Sequence, residues 1–319
     1  MSFQFSKQVT TKQLPNQQLA QYTKKIIAKS SLTTSSSFSR AAFNITIMIG
    51  TVAVPTLSAQ AYERIVAMSP DVADIVVALG ASDKLVGKDA TNNNPALKNV
   101  PAVGMHRNIT AESVLAVKPD LALGSYMVQP ASIYQRLNGL KVKAVNVAPK
   151  EEVATFTSSI KTIGSYVGKK SQGAQLAKRW NAGMSPLAKT GKRYLLSYDG
   201  RIVAGKGTVG DELIRRAGGI NAANVTGLKP MSREGWLAAK PDVIIIADHN
   251  QAVVGGVSKF SKRPEIAASA AGKNGGVHFW PADDFLRYGL NSPQILKRLH
   301  SVAKLPKQIS SPTSNNSHQ

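Results

Sequence analysis

Five histidines, eight tyrosines and no cysteine set the chemistry open to this 319-residue chain. Without a thiol there is no disulfide, no thiolate metal site and no cysteine nucleophile. His106 stands in Gly104-Met-His-Arg107, an imidazole between the thioether of Met105 and the fixed charge of Arg107. Tyr198 in Ser197-Tyr-Asp-Gly200 and Tyr126 in Gly124-Ser-Tyr-Met-Val-Gln-Pro130 each end a strand-like run. Gly205-Lys-Gly-Thr208 precedes a helical stretch and offers backbone N–H groups and Lys206 to an anion, or else is a plain strand-to-helix turn. It lacks the spacing of a P-loop, which argues against nucleotide. His249 follows the apolar run Val243-Ile-Ile-Ile246 and reads as an incidental loop histidine, while His278 in Val277-His-Phe-Trp280 reads as structural. Nothing arranges these groups for turnover. G-x-S-x-G, H-E-x-x-H and clustered His/Asp/Glu triads are all missing, so a secreted hydrolase or metal enzyme is disfavoured and the chain reads as no enzyme.

The elements that must position these residues alternate between strand and helix. Arg64 to Met68, Leu85 to Gly87, Leu121 to Leu123 and Ala144 to Val147 predict strands. Ser69-Pro70 opens a helix in which Val72, Ile75, Val76 and Leu79 share one face, and Gly80 stops it. Over 151–184 the spacing of Val153, Phe156, Ile160, Ile163 and Val167 predicts a helical connector, with breaks at Gly168 and Gly173. A second strand–helix series follows. The two halves repeat: Thr110-Ala-Glu-Ser-Val-Leu-Ala-Val-Lys-Pro-Asp120 aligns without a gap on Ser232-Arg-Glu-Gly-Trp-Leu-Ala-Ala-Lys-Pro-Asp242. Two similar α/β units joined by a helix imply two Rossmann-like lobes with mainly parallel sheets and a cleft between them. The expected boundaries are a lobe at 62–150, the connector at 151–184 and a lobe at 185–305.

Residues 1–61 hold six bases, no acid, and an apolar stretch from Ala41 to Leu57 ending in Ala59-Gln-Ala61. This predicts an export signal cleaved after Ala61, with a membrane anchor as the alternative. The polar segment 306–319 predicts a disordered tail. With no cysteine available for a lipid anchor, a freely diffusing periplasmic protein fits best. The net charge is +22, and removing the six bases of the signal leaves sixteen more bases than acids. Such an excess suits an anionic ligand or an anionic envelope surface, but the bases are scattered and no nucleic-acid stripe forms.

The doubled E-x-x-L-x-x-K-P-D pattern resembles the helix-linked solute-binding proteins of iron-siderophore, vitamin B12 and haem importers. Within that group the chain is most similar to periplasmic haemin-binding proteins. The similarity lies in Ser69 to Gly80, Val103-Gly-Met-His-Arg107, Ala204-Gly-Lys-Gly-Thr208, Ile214 to Gly219 and Lys229-Pro-Met-Ser232. The resemblance implies the helix-linked periplasmic binding protein fold and a monomeric carrier that delivers haem to a permease and ATPase complex of an ABC importer at the inner membrane. A ferric siderophore or vitamin B12 is the alternative cargo. It also implies that Glu112 and Glu234, one per lobe, dock onto permease arginines.

The haem ligand is where the sequence departs from that group, whose members carry a tyrosine in Gly-Tyr-x-Arg. Met105 stands in the tyrosine's place. Ferric iron prefers an imidazole or phenolate to a soft thioether, so His106 becomes the expected donor, with Arg107 facing a propionate or steadying the ligand. Ser197-Tyr-Asp-Gly200 matches a Ser-His-Gly-Gly segment, which makes Tyr198 the expected donor from the other lobe. Tyr126 is placed to stack on the porphyrin or to close its loop, and Lys206 to meet a propionate.

Overall fold

The computed structural model describes residues 62–302. The predicted signal at 1–61 and tail at 306–319 lie outside these residues. The first half runs β1 (Ile65–Ala67), α1 (Pro70–Ala78), β2 (Leu85–Lys88), α2 (Ala111–Leu115), β3 (Leu121–Ser125), α3 (Ile133–Gly139) and β4 (Lys143–Ala148). Its four strands are all parallel, in the order β2-β1-β3-β4. Two helices follow, α4 (Val153–Tyr166) and α5 (Lys170–Gly183). The second half runs β5 (Arg193–Ser197), β6 (Ile202–Ala204), α6 (Val209–Arg216), β7 (Ile220–Asn221), β8 (Leu228–Pro230), α7 (Arg233–Ala239) and β9 (Val243–Ala247). Four short helices come next, α8 (Gln251–Val254), α9 (Gly256–Ser261), α10 (Pro264–Ala267) and α11 (Ala270–Lys273), then β10 (Val277–Trp280) and α12 (Ser292–Val302).

The parallel strands β7, β5, β9 and β10 repeat the order of the first sheet, and only the antiparallel pair β6 and β8 is added. The mainly parallel, two-lobed α/β fold expected from the internal repeat is the one observed. The repeat has a physical basis in its Lys-Pro-Asp turns. Proline bars the α region to the residue before it, and Lys118 and Lys240 both take left-handed conformations, at φ 47° and 42°. A non-glycine residue there costs about 1–2 kcal/mol, and matching contacts offset it. Asp120 accepts from the backbone N–H groups of Glu63 and Arg64 at 3.0 and 3.1 Å, and Asp242 accepts from Arg193 N at 2.9 Å. Arg64 Nε donates to Lys118 O and Arg193 Nε to Ala239 O, both at 2.8 Å.

Alternation along each strand divides the core in three. Ile65 and Ala67 of β1, with Tyr194 and Leu196 of β5, face a shared cluster that also takes Ile160 and Ile163 of α4, Trp180 of α5 and Leu299 of α12. Val66 and Ala122 face a cluster private to the first lobe, and Leu195, Ile244 and Ile246 one private to the second. The lobes therefore keep separate sheets but share an apolar core along one side.

Of the two expected breaks in the connector, only Gly168 is one: it follows α4 at φ 77°. Gly173 lies inside α5 and makes close packing possible. A Cβ on Gly164 would sit 2.9 Å from Gly173 Cα, and one on Gly173 would sit 3.0 Å from Gly164 Cα. The helices touch backbone to backbone, so a side chain at either position must push them apart. Gly164→Ala is expected to lower stability despite better helix propensity. Overpacking costs about 1–3 kcal/mol, against about 1 kcal/mol gained in propensity. A lower urea midpoint than wild type is the expected result.

Candidate functional site

In both lobes four strands run parallel, so the loops after their C-terminal ends gather on one side, where open α/β sheets bind ligands. His106 sits on such a loop of the first lobe. Its backbone N–H donates to Asp89 Oδ2 and its ring Nδ1 lies 3.1 Å from the same oxygen. The imidazole side chain is only 9% exposed. Burial opposes ionisation of Asp89, yet hydrogen bonds from His106 and Thr91 outweigh it and hold this carboxyl below the usual range. Met105 beside it is 47% exposed and Arg107 is exposed. Met105 is thus the more exposed of the two side chains, while the imidazole is held back against a carboxylate.

Tyr198 closes β5 on the second lobe and is 38% exposed. Its ring meets that of His249 edge to face, with centroids 5.2 Å apart. Asn250 Nδ2 donates to the backbone carbonyl of Tyr198 at 2.8 Å and lies 2.9 Å from His249 Nε2, so one amide ties the Tyr198 backbone to the His249 ring. His249, read from the sequence as incidental, is therefore part of the Tyr198 surface. Its place directly after buried β9 was the available signal.

Two charged residues of the second lobe, Asp283 and Arg287, lie within electrostatic range of both sets. Hydrogen bonds from Arg287 hold the Asp283 carboxyl below its usual range, and a proton on the His106 or His249 ring would act in the same direction. One carboxylate of the second lobe thus lies within electrostatic reach of a histidine from each lobe. Arg287 is nearly buried, with its Nη2 2.9 Å from Asp283 Oδ2. It acts across the lobes on Asp71, whose carboxyl is raised by burial although Ser69, Arg287 and Ser125 oppose the shift. Asp283 and Arg287 belong to no motif visible in the sequence, and Asp71 lies within the Ser69 to Gly80 segment without being marked there as a site residue.

The remaining candidates lie elsewhere. The Tyr126 hydroxyl donates to Glu151 Oε1 at 2.7 Å, and burial with that carboxylate pushes its phenol far above the ordinary range. Tyr126 closes its loop and stays protonated. Glu151 lines a recess of about 350 Å³ between the start of the connector and the second lobe, with Glu152, Gly207, Glu212, Arg216 and Tyr288, which includes neither His106 nor Tyr198. Exposed Lys206 borders a different recess with Arg215 and Asn221. A Cβ on Gly205 would lie 2.1 Å from Val225 O, so that glycine serves a close backbone crossing. The structure does not bring Lys206 together with His106 or Tyr198.

Glu112 and Glu234 occupy equivalent places in the first turns of α2 and α7, whose caps Thr110 and Ser232 accept from Ser113 N and Gly235 N. Both are exposed, and both carboxyls are lowered, first by their own backbone N–H groups at the helix start. Glu112 also pairs with Arg136 at 2.6 Å. Among the described residues no three His, Asp or Glu side chains converge as a metal cluster, and no helix is long and apolar enough to cross a membrane.

This duplicated, helix-bridged architecture is that of a solute-binding protein, and the chain belongs to the periplasmic binding protein family, which matches residues 65–283. The Vitamin B12-binding protein of Yersinia pestis (strain Pestoides F) is 28% identical over 218 residues, 64% of this chain and 76% of that protein. Among solved structures, the periplasmic heme-binding protein BhuT in complex with two hemes superposes with a TM-score of 0.69 at 28% identity, covering 76% of this chain and 98% of that one. The apo periplasmic heme-binding protein RhuT from Roseiflexus sp. RS-1 gives 0.67 at 27% identity, covering 76% and 99%. The periplasmic heme-binding protein HutB of Vibrio cholerae gives 0.66 at 26%, covering 75% and 98%.

Proposed function

We propose that this protein is a periplasmic haem carrier that takes haemin between its lobes and hands it to the permease and ATPase of an ABC importer. It works as a single copy, without chemistry of its own and without nucleic acid. The observation that carries this reading is the pair of hard donors on opposite lobes. An Asp89-bound imidazole, His106, lies on one side, and an exposed phenol, Tyr198, on the other. Imidazole and phenolate both suit ferric iron, and the similar solved structures named above are of heme-binding proteins. Met105 supplies apolar contact to the macrocycle, and Arg107 meets a propionate. Titration of the purified protein with haemin tests the reading: a Soret shift that saturates at fixed stoichiometry is expected, and its absence overturns it.

Vitamin B12 is the second reading, favoured by the curated relatives. Aromatic residues are only 6% of the chain, which gives a corrinoid little flat surface to rest on. Cyanocobalamin that fails to displace haemin supports the first reading, and cyanocobalamin that binds while haemin does not supports the second.

On this reading Glu112 and Glu234 are the residues that meet the permease. Two carboxylates held ionised at helix starts, one on each lobe, form a two-point key for basic sockets. Reversing both (Glu112→Lys with Glu234→Lys) is expected to leave haemin titration unchanged and to abolish stimulation of ATP hydrolysis by the reconstituted transporter. Undiminished stimulation would remove them from docking.

A further inference from the structure

The inner side of the His106 ring meets a carboxylate that no sequence pattern marked. Asp89 directly follows β2 and is wholly buried. Its Oδ1 accepts from Thr91 N at 2.8 Å and from the Thr91 hydroxyl. Its Oδ2 takes both the backbone N–H and the ring Nδ1 of His106. The carboxylate is thereby locked in rotation, and so is the loop that carries the histidine.

We propose that Asp89 is a positioning residue that selects the donor atom of His106. A carboxylate facing Nδ1 requires the ring proton there, which leaves the lone pair of the neutral imidazole on Nε2. Nε2 has no hydrogen-bond partner among the described residues, and it is not among the buried atoms that lack one, so that edge keeps contact with solvent. A ring turned over about its own axis would exchange a charge-assisted hydrogen bond for a C–H contact. The same carboxylate strengthens Nε2 as a donor, the arrangement that orients metal-bound histidines generally. A largely buried histidine is thus presented edge-on, with one nitrogen satisfied by protein and the other open. The iron as its target rests on the haem reading above, whereas the tautomer belongs to the protein alone.

Two measurements separate these. Long-range ¹H–¹⁵N correlation spectra of the haem-free protein are expected to show His106 protonated on Nδ1 and bare on Nε2. A proton found on Nε2 overturns the proposal whatever the protein binds. On the reduced haem complex, Asp89→Asn is expected to lower the iron–histidine stretching frequency in resonance Raman spectra and to weaken haemin binding about 10–100-fold. Asp89→Glu, which keeps the charge, is expected to recover part of both, so that mere loosening of the loop is distinguished from loss of the carboxylate. An unshifted stretch in Asp89→Asn overturns the proposal while leaving the haem reading intact. If instead His106→Ala leaves the haem spectrum unaltered, His106 as iron ligand falls, and with it the iron as the target of Nε2, while the tautomer stands or falls by the correlation spectrum of the haem-free protein.

Discussion

His106→Ala combined with Tyr198→Phe is expected to weaken haemin binding by at least about 100-fold and to replace the Soret band of the complex with that of unligated haemin. Losing an outer partner of a metal ligand costs about 10–100-fold in affinity, and losing the ligands themselves belongs at or beyond the top of that range. Each single variant keeps one hard donor and the apolar contacts of the porphyrin, so each is expected to retain haemin with altered ligation rather than release it. The two singles should differ. Tyr198 is 38% exposed on the rim of its lobe. Removing its hydroxyl takes away a donor and leaves the ring against His249, with centroids 5.2 Å apart in the parent. Removing His106 also empties a packed site and leaves Asp89 Oδ2 with only a backbone partner. His106→Ala should therefore lose stability as well as ligation, and Tyr198→Phe ligation alone. Absorption and resonance Raman titrations check this. Wild-type affinity and spectra in all three variants would sink the two-donor site.

Trp180→Ala carries the largest expected effect on stability, about 3–5 kcal/mol, as for other buried Trp truncations. Trp180 is 3% exposed on α5, and its ring lies 4.6 Å from Phe156 of α4 and 6.0 Å from Tyr288 of the second lobe. Its Nε1–H donates to Gly289 O at 2.9 Å, a carbonyl left without that partner when the indole goes. Because this residue sits in the cluster shared by both lobes, the loss should be felt everywhere. Urea unfolding followed by fluorescence and circular dichroism is expected to remain a single transition, moved to lower midpoint. Two separated transitions would show that the lobes unfold independently and that their common core does not couple them.

The two-lobed α/β architecture was legible from local pattern. Alternation of β-branched runs with amphipathic helices, and the gap-free match of Thr110–Asp120 to Ser232–Asp242, depend on neighbours in the chain, and local propensity and turn chemistry act over that range. The Lys-Pro-Asp turns are the clearest case, since proline itself restricts Lys118 and Lys240. The places of Glu112 and Glu234 were legible for the same reason, each being two residues past a capping hydroxyl.

What surrounds the candidate donors was not. Asp89 and His106 are 17 residues apart, Tyr198 and Asn250 are 52 apart, and Arg287 acts on Asp71 from the far end of the chain. Such pairs follow no spacing rule, because each forms only where two separately folded loops come to rest. Gly173 shows the limit in the other direction: taken from composition as a helix breaker, it is a helix residue whose missing side chain lets α4 and α5 touch. The chain itself determined the doubled units and their order. Tertiary packing alone decided which nitrogen of His106 is engaged, which tyrosine is free and that the lobes share a core, because contacts between distant residues have no local signature.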